Sequence, residues 1–438
     1  MGISKRPRRF WLLSVALVAT GCQSTAHPPF IGLPAGAGQA PTSPGYELES
    51  GSSSGGTTTP AGITIADGPG NQTHSATAFD SRTNRYLVVW QDDSVGSGDI
   101  YGRLTTADGT PIGARFVIAN GPNPQFHPRV AYNSQSDEFL VTWTDFPGID
   151  ARRVSSAGVP IGAPFLVSLL ERQHSDLSAV AYDVKANEYL VVWNAEVGLG
   201  PTISARRVSA LGQNMGPIVD LSALGAANGA PSVAYGVRSD EYMITWSNVG
   251  NAILAQRFTP PNGTVGSPFV VDDTAGTTKN EPTVAYDFHH DDFLFAWSDS
   301  RGLLPPGSPF GPNFDIFDRR VAPSGTPLGV TTFAAGETDT VDDQPALAYS
   351  CPEDRFELVW RQSAFKIQAL VVKDVALDTL GRPAGTPGIV FGPGGAPNDQ
   401  ENPAIASNCN APGFLATLDN FRFFTRPQND DIVGNILP

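Results

Sequence analysis

Five polar side chains stand at one recurring place in this sequence. His74, His127, Glu281, Gln344 and Asn402 each lie four residues before the last alanine of a short apolar motif, as in "HSATAF" and "QPALAY". Leu177 and Ala230 hold the same place in two further copies. Imidazole and carboxylate groups donate lone pairs to transition metals, whereas amides and carboxyls suit hydrogen bonding to a polar ligand. Glu281 is three copies away from His127, so the histidines and the carboxylate do not form one compact ligand set. The spacing therefore predicts no metal and no cofactor; His74, His127, Glu281, Gln344 and Asn402 read either as solvated rim residues or as candidates for binding a polar ligand at the channel mouth.

Other recurring polar residues read as structural. Asp92, Asp145, Asn248 and Asp299 follow tryptophans by two residues; they are hard oxygen donors of the kind calcium takes, but their repetition predicts turn capping. Arg103, Arg152, Arg206 and Arg319 also recur at one position, which predicts the same structural contact in each copy. They invite comparison with a sialidase arginine cluster, yet the Asp-boxes of that family are missing. His289-His290-Asp291-Asp292 reads as a solvated turn on the opposite face. Cys351 and Cys409 occupy equivalent hairpin positions in adjacent copies, and an exported chain meets an oxidising environment, so a Cys351–Cys409 disulfide is expected. No zinc-protease helix, phosphate-binding glycine loop or paired CxxC occurs. "GSSSG" at 51–55 lacks the strand and helix that a nucleophile elbow needs.

These residues are positioned by a repeat. Trp90, Trp143, Trp193, Trp246, Trp297 and Trp360 are about 50 to 63 residues apart, and each ends an apolar run such as "EFLVTW". A period of this size marks a propeller or solenoid. Each unit divides into a small apolar strand, a strand apolar on both faces, a more polar strand and a short fourth strand, with Gly and Pro turns such as "ADGTPIG". A strand apolar on both faces must be covered on both, as in radially stacked blades.

A seventh copy, "NPAIASNCNAPGFLATLDN", has Leu418 in place of the tryptophan and ends at its third strand, "DIVGNIL". The spare fourth strand is "ITIA" at 63–66. The expected fold is thus all-β: one seven-bladed β-propeller over 61–438, with four antiparallel strands per blade and the last blade closed by an N-terminal strand. This pattern looks like the strand-exchange closure of WD-repeat propellers, without that family's His and Trp-Asp signature.

The N-terminus, "MGISKRPRRFWLLSVALVATGC", has a basic segment, an apolar run and small residues before Cys22. Ala19-Thr20-Gly21-Cys22 resembles the lipobox of bacterial lipoproteins. That resemblance implies a signal peptide at 1–21, diacylation of Cys22 and, with Gln23 after it, an outer-membrane address in a bacterial cell envelope. Residues 22–60 read as a Pro/Gly/Ser/Thr-rich tether. Without the four basic residues of 1–21, the net charge falls from -15 to about -19. That balance disfavours nucleic acid as a partner.

Long connections at 194–201, 298–315 and 419–431 fall on the same face as the polar ring, where they read either as a binding surface or as tolerated insertions. Function is expected to be that of a monomeric, membrane-anchored binding or scaffold module for a glycan, peptide or protein. The alternative is a glycan-processing enzyme with its site at the channel mouth.

Overall fold

The computed structural model describes residues 62–438 except 97, 169–174, 198–199, 224–226, 302–312, 338–339, 365–368, 391–398 and 422–429. The expected signal peptide, Cys22 and the expected tether lie outside the described residues, as does much of the three long connections.

Among the described residues, seven four-stranded antiparallel sheets follow one another along the chain. Six use four consecutive strands, and in the seventh Ile63–Ala66 pairs with Asp430–Leu437. The first strand of each blade lies innermost against the first strands of its neighbours. The second strands carry the burial: in Glu241–Asn248, the residues from Tyr242 to Trp246 are all fully buried. Outer strands face solvent, as Val330 does in Pro327–Ala335.

The core is a ring of seven clusters, one at each blade junction. Each tryptophan packs against the blade before it; Trp143 joins blade one residues, and Trp90 joins the closing strand. The closing strand fills the last junction with Ile65 and Ala66, both buried beside Tyr86, Trp90 and Ile432. Gly434 makes this possible, because a Cβ there would come within 2.6 Å of Ile65 Cδ1.

The recurring arginines latch the blades. Arg103 Nη1 donates to the Ile65 carbonyl at 2.9 Å, Arg152 to Ile118 at 2.7 Å, Arg206 to Val167 at 2.8 Å and Arg319 to Val271 at 2.7 Å. Each reaches the outer strand of the preceding blade, and Asn435 Nδ2 does the same for blade seven at Val390. Two of the aspartates after the tryptophans cap turns: Asp92 Oδ1 accepts from Ser94 N and Asp299 Oδ1 from Arg301 N, whereas Asp145 Oδ1 accepts from Asn123 Nδ2 at 3.0 Å.

The expected Cys351–Cys409 disulfide is not formed, since Cys351 is a free thiol. Equivalent sequence positions did not give facing side chains. Cys351 packs into the junction of blades five and six, whereas Cys409 packs into the junction of blades seven and one. Burial first, then Asp287 and Asp354, pushes the Cys351 thiol up to about 12.

Candidate functional site

The polar ring sits on a backbone irregularity present in every blade. The first and second strands lose register at Thr73/Ala76, Phe126/Arg129, Asp176/Ala179, Asn228/Ser232, Asn280/Thr283, Asp343/Ala346 and Glu401/Ala404. His74, His127, Leu177, Glu281, Gln344 and Asn402 all take positive φ there, between 49° and 55°. A left-handed conformation costs a non-glycine residue about 1–2 kcal/mol, so six around one opening is a strained ring. Bulges of this kind turn a side chain out of the sheet pattern and expose its backbone N–H to new partners.

Side chains of neighbouring blades capture those N–H groups. Gln344 N donates to Glu281 Oε2 at 2.7 Å, and Asn402 N donates to Gln344 Oε1 at 3.0 Å. His74 N donates to Asp419 Oδ2 at 2.9 Å, and Asn402 Nδ2 donates to the same oxygen at 2.6 Å. The His74 and His127 rings then meet edge to face, 4.6 Å apart. A chain of fasteners thus runs from blade five through blades six, seven and one to blade two. At Leu177 the ring is apolar, and the Ala230 side chain lies outside what is described.

Glu281, Gln344 and Asn402 are buried, and His74 and His127 are half-buried. Their positions at the start of the innermost strands put them at the end of the channel where the second strands lead into the third. The structure adds five residues to the ring: Asp343, Arg361, Glu401, Asp419 and Asp430. Arg361 grips Asp343 with two hydrogen bonds, at 2.7 and 2.6 Å, and lies 3.4 Å from Glu401. Asp343 and Arg361 are cross-strand partners in blade six; Glu401 and Asp419 hold the same places in blade seven. Blade six therefore has an opposite-charge pair where blade seven has two acids.

The protonation of these acids follows from burial. Burial, then the nearby Asp343, pushes Glu281 up to about 8 despite the Gln344 N–H and Arg361. Asp419 is raised well above the carboxylate range by burial, helped by Asp430 and Glu401 and opposed by its hydrogen bonds from His74 and Asn402. Asp430 is raised to about 7 by burial, then by Glu401, Asp93 and Asp431. At neutral pH Glu281 and Asp419 are thus held mainly as neutral carboxylic acids. Asp419 Oδ1, Asn402 Oδ1 and Asp430 Oδ1 are buried without a hydrogen-bond partner among the described residues. Each such acceptor costs about 1–3 kcal/mol.

The five added residues had a faint sequence signal. Arg361 and Asp419 follow the tryptophan position directly, where the other copies carry Gln91, Thr144, Asn194, Ser247 and Ser298. Only the strand register shows that this place faces the ring.

No protein-family model matches the chain, and no curated protein does. Among solved structures, a protein of unknown function from Dyadobacter fermentans is similar with a TM-score of 0.52 at 9% identity, over 86% of this chain and 98% of that one. An endo-arabinase from Bacteroides thetaiotaomicron gives a TM-score of 0.40 at 13% identity, over 72% and 96%. A prolyl endopeptidase gives 0.47 at 12% identity over 85% of this chain and 47% of its own. The first supports the fold alone, and the other two are too remote to carry a functional argument.

Proposed function

We propose that this protein is an envelope-anchored binding propeller that holds a neutral, hydroxyl-rich ligand, a carbohydrate, at its channel mouth. The observation that carries the reading is the Glu401/Asp419 acid pair, retained in blade seven with three partnerless oxygens beside it. A neutral carboxyl both donates and accepts, as a sugar hydroxyl does; those oxygens are closed off from solvent, so incoming hydroxyls would satisfy them by parting the side chains of the ring. A fixed negative charge would instead select cations. The lipobox-like segment supports an anchor at Cys22, which would present the propeller at a bacterial outer membrane.

The second reading is a glycan-processing enzyme, and one contact favours it. Glu281, raised to about 8 by burial and then by the nearby Asp343, neighbours this aspartate, which Arg361 grips, and a pair of carboxyls close together is what glycoside hydrolysis requires. Against it, Glu281 and Asp419 each spend an oxygen fastening a neighbouring blade.

A glycan array probed with residues 61–438, with the mass of each bound glycan followed, separates the readings. The binding reading expects an intact ligand and at least about tenfold weaker binding in Asp430→Leu, the loss of one buried polar contact. Cleavage that disappears in Glu281→Gln would establish the enzyme instead. Metabolic palmitate labelling that survives Cys22→Ser would remove the anchor.

A further inference from the structure

A second cluster lies on the face opposite the channel mouth. Asp287 and His290 belong to the hairpin between Lys279–Asp287 and Asp292–Asp299 in blade five, and Asp354 to the corresponding hairpin of blade six. His290 Nδ1 is 2.9 Å from Asp287 Oδ2 and 3.8 Å from Asp354 Oδ1. One ligand atom from each of these three residues falls within 4.8 Å of the others. His289 Nδ1 is 3.4 Å from the same Asp354 oxygen and 2.7 Å from Tyr349 Oη. Donors about 2.1 Å from a tetrahedral zinc ion stand about 3.4 Å apart, so the present separations need only small side-chain adjustments.

The equivalent junctions explain why the cluster stands out. At blades three and four, Asp183 and Asp240 meet around the Tyr235 hydroxyl, and Lys185, two residues after Asp183, lies 3.9 Å from Asp240. The corresponding residue is Arg82 in blade one and Arg238 in blade four, but His289 in blade five. Blades two, six and seven carry Gln135, Pro352 and Asn410 there, so the imidazole of His289 takes the place that a permanent cation holds in blades one, three and four, and it does so where Asp287 and Asp354 meet. Among the described residues, the ion-pair partners of these two aspartates are His289 and His290 alone. Arg238 is close by, but its guanidinium donates to the carbonyls of Phe288 and His289 and so holds the histidine turn in place. Asp287 is buried, whereas His289, His290 and Asp354 are about half exposed, which leaves an open path for an ion from solvent.

We propose that Asp287, His290 and Asp354 bind a divalent transition metal of the zinc class, joining blades five and six, with His289 as the adjacent donor. Two carboxylates and imidazole suit such an ion, which would supply the countercharge that Lys185 supplies two blades earlier. A metal held by both hairpins would bind the folded ring and not the unfolded chain, and would therefore raise its melting temperature.

The test is a zinc chloride titration of chelator-treated protein, followed by calorimetry and by thermal melting, with magnesium as the comparison. One zinc per chain and a melting temperature raised by zinc but not magnesium are expected. His290→Ala and Asp354→Asn should each weaken binding at least about tenfold, the loss that even an outer-shell partner can cause. His289→Lys, which restores the cation of the equivalent junction, should abolish the zinc response while keeping the metal-free melting temperature at or above wild type. The proposal is overturned if zinc leaves the wild-type melting curve unchanged, or if His290→Ala and Asp354→Asn bind zinc as tightly as wild type.

Discussion

Removal of residues 61–67 is expected to destabilise the propeller by on the order of 5 kcal/mol, a third or more of the 5–15 kcal/mol that typically holds a domain together. Three losses add in one direction. Ile65 leaves the cluster with Tyr86 and Trp90, a change of the kind that costs about 2–5 kcal/mol in cores. The carbonyl that receives Arg103 disappears, and Asp430–Leu437 becomes an open sheet edge. Gly434→Val should act in the same direction without shortening the chain, because its side chain would occupy the space of Ile65. Deletion of 23–58, a tether by composition, should leave the melting temperature unchanged. Equal melting temperatures for the two deletions would contradict the importance of the closing strand.

The second large effect is a fall in stability from mildly acidic to mildly alkaline pH. Burial is the leading cause that raises Glu281 and Asp318 to about 8, and Asp315 and Asp430 to about 7. In the unfolded chain such groups titrate near 4. Between about pH 4 and 8 the folded state therefore binds more protons than the unfolded state, and stability falls as pH rises through that window. Asp272 works the other way: although burial opposes it, hydrogen bonds from Thr331 and Thr274 and the Arg301 guanidinium lower it to about 2, so it contributes stability that is lost only below about pH 4. The melting temperature should thus peak near pH 4–5 and decline to pH 8. Asp318→Asn, distant from the ring and lacking a charge to bury, should recover on the order of 2 kcal/mol at pH 8. A melting temperature that is flat or rises from pH 5 to 8 would refute this assignment of buried neutral acids.

The two predictions rest on parts of the molecule that were unequally legible in the sequence. The closing strand was readable because "ITIA" parallels the fourth strands of complete copies, and the last copy lacks one. The ring positions were readable because the period places His74, His127, Glu281, Gln344 and Asn402 in register. Their left-handed backbone was not, since no glycine marks it and the strain is imposed by seven blades crowding one axis. Asp419 and Arg361 stayed hidden because a cross-strand neighbour is defined by register, and here a bulge shifts it. The Cys351–Cys409 pairing failed for a related reason: equal positions in adjacent blades fixed sequence geometry but not the junction into which each thiol packs. The histidine turn "HHDD" read as solvated, and only the approach of Asp354 from the next blade makes it a cluster.

Charge patterning ties these observations to function. Most copies of the repeat place uncharged residues beside the ring, and blade six pairs Asp343 with Arg361. Blade seven alone places Glu401 against Asp419 among the cross-strand pairs at this position. Oδ2 of Asp419 fastens blade seven to blade one through His74 N, but its Oδ1 has no partner among the described residues, and it is that oxygen which the proposed carbohydrate would engage.

The measurement that bears most directly on this account is hydrogen exchange of the protein with and without the carbohydrate that the array returns. The account predicts slowed exchange at the bulged starts of the first strands around His74, His127, Gln344 and Asn402, and along Asp419 and Asp430. Slowing confined to the hairpins around His289 and Asp354, or none at all with the ligand bound, would contradict it.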